Sequence, residues 1–367
     1  TPSPGATGVE PDTSIEVQLT DGSEPVDTAT VSLTVNGANV DASVSKSDGV
    51  TTVSFAPDGF LAGGSTQTAS LSYNGITRDW SFTVRDYGGP TLDRVGSYPG
   101  LILGNAEYTA DGGGVSGEAG DYGMDFTAQG GSVVVTQFEY LKDAFANDEL
   151  TVAFWSKKHA ISNSSAFWIT SASANNGNRG FQAHVPWGNN QIYLDTQGCC
   201  TVPTQRLNGS ITEFPDYSDD TFWTDDWHFY SFSKKDDFKE IRIDGELFLD
   251  IFDSDPLISD VTGLFIGSDG GLGNNDLSVF DDFAVFSTAL SESDLKSIVG
   301  GTSPSDLPSS KGLLAHWDFN DAGSVTPVEP PVVVPPVVLP PVVLPPIPGG
   351  GVAGAISGIE NNGGTIV

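Results

Sequence analysis

A chain of 367 residues has room for two or three domains, and 44 glycines, one methionine and scattered short apolar runs favour strands over helices. Lys plus Arg number 15 against 48 Asp plus Glu, so 15 − 48 = −33; that field repels phosphate backbones and anionic headgroups and excludes nucleic acid as a partner.

Residues 1–12 read as coil. Ser14 to Leu19, Ala29 to Val35, Thr51 to Phe55, Thr68 to Tyr73 and Trp80 to Val84 then alternate with period two between Gly, Asp and Asn turns. These strands predict a small β-sandwich over 13–86, similar to an immunoglobulin-like module of bacterial surface proteins, with Trp80 as its core anchor. Residues 87–99 are a turn-rich linker. A larger domain over 100–325 has strands predicted at 122–126, 132–136, 150–156, 166–170, 180–184, 191–195, 227–233, 239–244, 246–251, 263–267 and 277–286. Asp244-Gly245 suits a tight type I′ hairpin, with Ile241, Ile243, Leu247 and Leu249 alternating against Arg242, Asp244, Phe248 and Asp250. Only Ser291 to Val299 reads as helix, Ser291 and Asp294 forming a variant capping box.

Five phrases in order, Asp226-Trp227-His228-Phe229-Tyr230, Ile241 to Leu247, Leu264 to Gly267, Phe280 to Phe286 and Ala289-Leu290-Ser291 with Leu295, resemble the signature of a laminin-G-like, concanavalin-A-type jelly roll. The likeness covers about residues 100–300 and implies two large antiparallel sheets packed face to face, hence an all-β fold class. Gly312 to Asn320 resembles the phrase that opens such domains but follows the closing helix, so it returns to the sandwich as a late strand or pairs with another molecule.

Some folds of this type are endoglucanases, but the Glu-x-Asp-x-x-Glu carboxylate spacing of retaining enzymes is missing. Glu240, Asp244 and Glu246 straddle a hairpin tip instead, so the chain reads as no enzyme. The resemblance also implies a bound calcium ion, for which Asp269, Asn274, Asp276, Asp281 and Asp282, with Asn275 between, are the oxygen-bearing candidates; the alternative is a plain Asp/Asn/Gly turn. Sugar recognition needs an aromatic face beside amides and charge. Trp187, Asn189, Asn190, Tyr193, Asp195 and Arg206 supply these within twenty residues, unless the two rings are core. Trp223 and Trp227 read as structural.

The neighbours Cys199 and Cys200 form a vicinal disulfide, bridge to other chains or stay reduced, and the four histidines lack zinc-ligand spacing. Asn163 and Asn208 head glycosylation sequons. The sequence begins at Thr1 without Met and shows no positively flanked apolar segment, so an exported, extracellular protein with its leader removed is expected.

From Pro330 to Pro348 every side chain is apolar, and the proline pairs dictate polyproline II, a rod of roughly 59 Å at about 3.1 Å per residue. The pairs forbid the continuous helix a bilayer requires, and no Lys or Arg follows Lys311, so membrane insertion is not expected. Residues 326–348 form this segment and 349–367 a Gly-rich apolar tail. Pro330, Val334, Leu339, Leu344, Ile347, Ile356 and Ile359 are the expected assembly contacts, docking on a neighbouring copy to give a homopolymer. The sequence thus predicts a secreted structural or adhesive fibre subunit; the alternative is a calcium-dependent carbohydrate-binding module.

Overall fold

The structure, a computed structural model, describes residues 1–322 except Ser97, Pro215, Asp216 and Ser218, so the seven assembly residues expected in the tail lie outside the described residues. The chain divides into two compact units at Asp86 and Tyr87, and both are built from antiparallel sheets.

In the first unit, β1 (Ile15–Thr20), β5 (Val50–Phe55) and β4 (Ser43–Ser47) form one sheet. The second sheet is β3 (Ala38–Val40), β2 (Ser32–Val35), β6 (Thr66–Tyr73) and β7 (Ile76–Thr83). Strand β6 shows why: Gln67, Ala69, Leu71 and Tyr73 are buried while the Thr and Ser residues between them are more exposed, the two-residue period of a half-buried strand. Asn74-Gly75, both at positive φ, turns β6 into β7. Trp80 is not the core anchor that the sequence predicts. It sits on β7, the last strand of its sheet, half-buried in a shallow groove with Thr34, Thr68, Ser70 and Asp79, while residues 5–9 hydrogen-bond along the outer edge of β7 at Ser81 and Thr83. Phe82, two residues on, fills the core with Ile15, Leu33, Val53 and Leu71.

The second unit stacks two eight-stranded sheets. One runs β10 (Glu107–Tyr108), β11 (Met124–Asp125), β22 (Ser278–Phe286), β13 (Glu149–Lys158), β18 (His228–Lys235), β19 (Phe238–Ile243), β20 (Glu246–Ile251). Its last member, β23 (Leu313–Trp317), lies along the same edge of β22 as β11, pairing Trp317 with Phe283. The phrase after the closing helix therefore returns to its own sandwich. The other sheet runs β17 (Arg206–Ser210), β16 (Gln191–Thr196), β15 (Arg179–Trp187), β14 (Phe167–Ser171), β21 (Val261–Ile266), β12 (Gly131–Val135), β9 (Gly100–Gly104), β8 (Gly89–Thr91). Phe154 joins the sheets: its ring stacks on Phe280 at 4.8 Å and meets Phe167 of the facing sheet edge-on at 6.0 Å. Such ring pairs add about 0.5–1.5 kcal/mol beyond the area they bury.

Helix α4 (Glu292–Val299) carries both halves of the Ser291/Asp294 capping box, and its Leu295 and Ile298 cover Ala153, Phe229, Ala284 and Phe286 on the outer side of the first sheet. Among the described residues three helices beyond the one expected occur: α1 (Glu139–Ala146), the irregular turn α2 (Asn175–Asn178) and α3 (Asp220–Asp225). In α1, Leu141, Ala144 and Phe145 form a short buried stripe that two turns of sequence barely reveal. The segment 87–99 is not a free linker either. Strand β8 pairs with β9, Thr91 and the Leu92 amide donate to Asp321, and Arg94 bonds Asp318 at 2.7 Å, so the segment belongs to the second unit. Asp244 and Gly245 have the positive φ values of a type I′ turn, but a bulge at Ile241/Arg242 shifts the register of β20. Phe248 points inward and Leu247 is 48 % exposed, the reverse of the predicted alternation.

Candidate functional site

The far edge of the second sheet gathers most of the predicted sugar-site residues on one outer face. Along β15, Phe181, Ala183 and Val185 enter the core, which sends Gln182 and His184 outward; on β16, Ile192 and Leu194 point in and Tyr193 and Asp195 out. Pairing then aligns Gln182 with Asp195, His184 with Tyr193, and Asp195 with Arg206 of β17. Asn190, in the left-handed region that Asn tolerates, closes the β15–β16 turn by donating its amide to the Trp187 carbonyl at 2.8 Å.

Asp195 is fully buried and is the hub. Arg206 donates to it through Nε at 2.5 Å and Nη2 at 2.6 Å, Arg179 through Nη1 at 2.7 Å and Gln182 through Nε2 at 2.6 Å. Each guanidinium also lies over a ring, Arg206 at 4.5 Å from Tyr193 and Arg179 at 4.7 Å from Trp168. Tyr193 and Trp187 are half-buried. Exposed Asn189 donates to the Tyr193 hydroxyl at 2.7 Å. His184 packs between them, 4.3 Å from Trp187 and 5.7 Å from Tyr193. Burial pushes its imidazole down to about 4, so at neutral pH it is uncharged and Nδ1–H donates to the Ser164 carbonyl at 3.0 Å.

Cys199 and Cys200 are bonded to each other beside this face. Asn175 and Asn176 hold the Cys199 backbone, and Arg206 Nη2 lies 3.0 Å from its Sγ. Sequence reasoning missed Trp168, Arg179, Gln182 and His184. Gln182 and His184 were legible as the polar phase of an alternating strand; Trp168 and Arg179 arrive only through strand register.

The calcium set fares differently. Asp276 is buried against Lys158 at 2.8 Å, and Asp269 accepts the Gly271 and Gly273 amides of its own turn and the Asn274 side-chain amide. Asp281 takes the Val115 and Asp282 amides, with burial pushing its carboxyl up to about 9, and Asp282 bonds His316 at 2.8 Å. Among the described residues no group of three or more His, Cys, Asp or Glu side chains converges to hold a metal. His316, buried and bonded on both nitrogens to Ser305 and Asp282, fastens β23 to β22. Glu240 and Asp244 are likewise engaged, by Arg242 and His228. Of the sequon asparagines, Asn163 is exposed, whereas Asn208 donates to Gln191 at 2.6 Å and is half-buried. Trp223 is buried in the core and Trp227 half-buried.

Among the described residues no helix is long and apolar enough to cross a membrane. No family model matches the chain, and no curated protein matches it. Solved structures with partial likeness include the receptor binding domain of botulinum neurotoxin C/D mosaic serotype, at 16% identity and TM-score 0.40 over 58% of this chain and 51% of that one. The botulinum neurotoxin serotype D binding domain gives 17% identity and TM-score 0.38 over 58% and 52%. The binding domain of botulinum neurotoxin DC, solved in complex with rat synaptotagmin II, gives 13% and 0.39 over 58% and 51%. This chain spans about half the length of these structures.

Proposed function

We propose that the protein is an extracellular, non-enzymatic adhesive module whose larger unit, taken as laminin-G-like from its ordered sequence phrases, binds glycan on the outer face of β14 to β17. The observation that carries this is the pair of half-buried aromatic residues, Trp187 and Tyr193, flanked by Asn189 and by the Arg206 guanidinium 4.5 Å from the Tyr193 ring. Flat rings beside fixed polar groups are what a sugar's apolar face and hydroxyls require. The Cys199–Cys200 bond fits an oxidising compartment, hence export. Calcium has no part in this reading, because the carboxylates read for it are engaged by Lys158, His316 and backbone amides.

Screening the full chain on a glycan array is the test. Trp187→Ala should lower binding to the best ligand about tenfold or more with an unchanged melting temperature, a loss typical of an aromatic anchor. Unaltered binding would move the site elsewhere.

A second reading rests on the all-apolar run from Pro330 to Pro348: the tail docks on a neighbouring subunit and builds a fibre. Deleting residues 326–367 should then leave folded monomers where the full chain forms filaments under the electron microscope. Filaments from the truncated chain would discard the tail as linker.

A further inference from the structure

The charges on this face do not balance. Arg179 and Arg206 share the single carboxylate of Asp195, and His184 is neutral, so these four side chains carry a net +1 within a chain of net −33, and the Lys239 amine on the inner side adds no negative charge to offset it. Arg206 engages Asp195 through Nε and one terminal nitrogen; Arg179 engages the Asn176 carbonyl through Nε and Asp195 through one terminal nitrogen. The other terminal nitrogen of each guanidinium lies outside these contacts, and the arginine side chains remain 20 % and 16 % exposed. Contacts with the Trp168 and Tyr193 rings, at 4.7 and 4.5 Å, restrain the two guanidinium groups.

A merely structural ion cluster would be closed and fully satisfied, since buried charges by themselves add little stability. This one is open on the arginine side, and two of its buried polar atoms, Gln182 Oε1 and Trp168 Nε1, have no hydrogen-bond partner. Unsatisfied groups of this kind ask for an explanation beyond stability.

We propose that the ligand of this face is an acidic sugar, its ring against Trp187 and Tyr193 and its carboxylate or sulfate ester at the free ends of Arg206 and Arg179. This rests on the glycan-binding reading above and adds the class of sugar. A charge-assisted contact to a guanidinium contributes about 1.5–3 kcal/mol. Long-range repulsion from the acidic chain opposes the approach of a polyanion, and salt screens that repulsion over a Debye length of about 10 Å at 0.1 M. Affinity is therefore greatest at intermediate ionic strength, unlike a basic groove, which weakens steadily as salt rises.

The full chain would be titrated with polygalacturonate, dextran sulfate and uncharged dextran across a range of NaCl. The expected result is at least tenfold tighter binding of one or both acidic polymers than of dextran, with a maximum at intermediate salt. Arg179→Gln, which leaves the two-pronged Arg206 contact on Asp195 intact, should reduce that binding roughly ten- to a hundredfold. Equal binding of dextran, or acidic binding that Arg179→Gln does not change in a variant with wild-type melting, overturns the inference while leaving the glycan reading in place. Binding of none of the three, while an array of neutral glycans is bound, also overturns it; silence on both sinks the two readings together.

Discussion

Asp276→Ala is expected to destabilise the larger sandwich by about 3–5 kcal/mol, the range for stripping one partner from a buried ion pair. Lys158 and Asp276 are each about 1 % exposed and meet at 2.8 Å, with Ser278 Oγ 3.2 Å and Ser164 Oγ 3.4 Å from the ammonium. Removing the carboxylate leaves a charge in the interior with only hydroxyls to solvate it. The pair itself is imperfect, because Asp276 Oδ2 has no partner. Replacing both ends with apolar side chains, Lys158→Met with Asp276→Leu, should therefore restore stability to within about 1 kcal/mol of wild type. Urea unfolding of the two variants measures this; a cost below about 1 kcal/mol for Asp276→Ala would show that the charge escapes to water. Ser164 gives the pair a functional reach, since its carbonyl receives the His184 Nδ1–H beneath Trp187 and Tyr193. Loss of Asp276 should loosen the floor beneath Trp187 and Tyr193, the proposed glycan face, as well as the fold.

How much of this was legible depended on how local each signal is. The hairpin at Asp244-Gly245, the capping box at Ser291 and Asp294, and most strands of the larger unit are written in stretches of two to ten residues, where period and turn chemistry act directly. Gly100 to Gly104, a wholly apolar run of five, carries no period and becomes a strand between β12 and β8, which pair with it on either side. The phase of β20 failed at a bulge, which no alternation encodes. At the site, Trp187, Tyr193 and Arg206 fall within one short segment and were legible as ingredients. That Asp195 is a buried hub was not, because Arg179 and Gln182 reach it across strand register. The engagement of the calcium candidates was hidden for a related reason: Asp269 caps its own turn, whereas the partners of Asp276 and Asp282, Lys158 and His316, lie on β13 and β23.

Lys239→Met should stabilise the protein at pH 7 by about 4 kcal/mol, the largest gain from any single side chain discussed. Lys239 is fully buried on β19 with one close partner, Thr196 Oγ1 at 3.2 Å, and burial pushes its amine down to about 7. The direction in pH follows from proton counting. Above pH 10.5 the amine is neutral folded and unfolded, and no penalty exists. Between 10.5 and 7 the unfolded chain binds a proton that the folded chain refuses, so stability falls by about 1.4 kcal/mol for each unit that pH drops. Below 7 both states are charged and the penalty stays at its full size, about 5 kcal/mol, from which the lost Thr196 bond subtracts about 1 kcal/mol in the variant. The gain from Lys239→Met should thus shrink steadily from pH 7 to pH 10, and subtracting variant from wild type isolates the contribution of this one amine. Urea unfolding at pH 7, 8.5 and 10 measures the slope. A gain that does not change with pH would mean that the ammonium finds water, and that β19 leaves the interior wet beneath Asp195 and its two arginines.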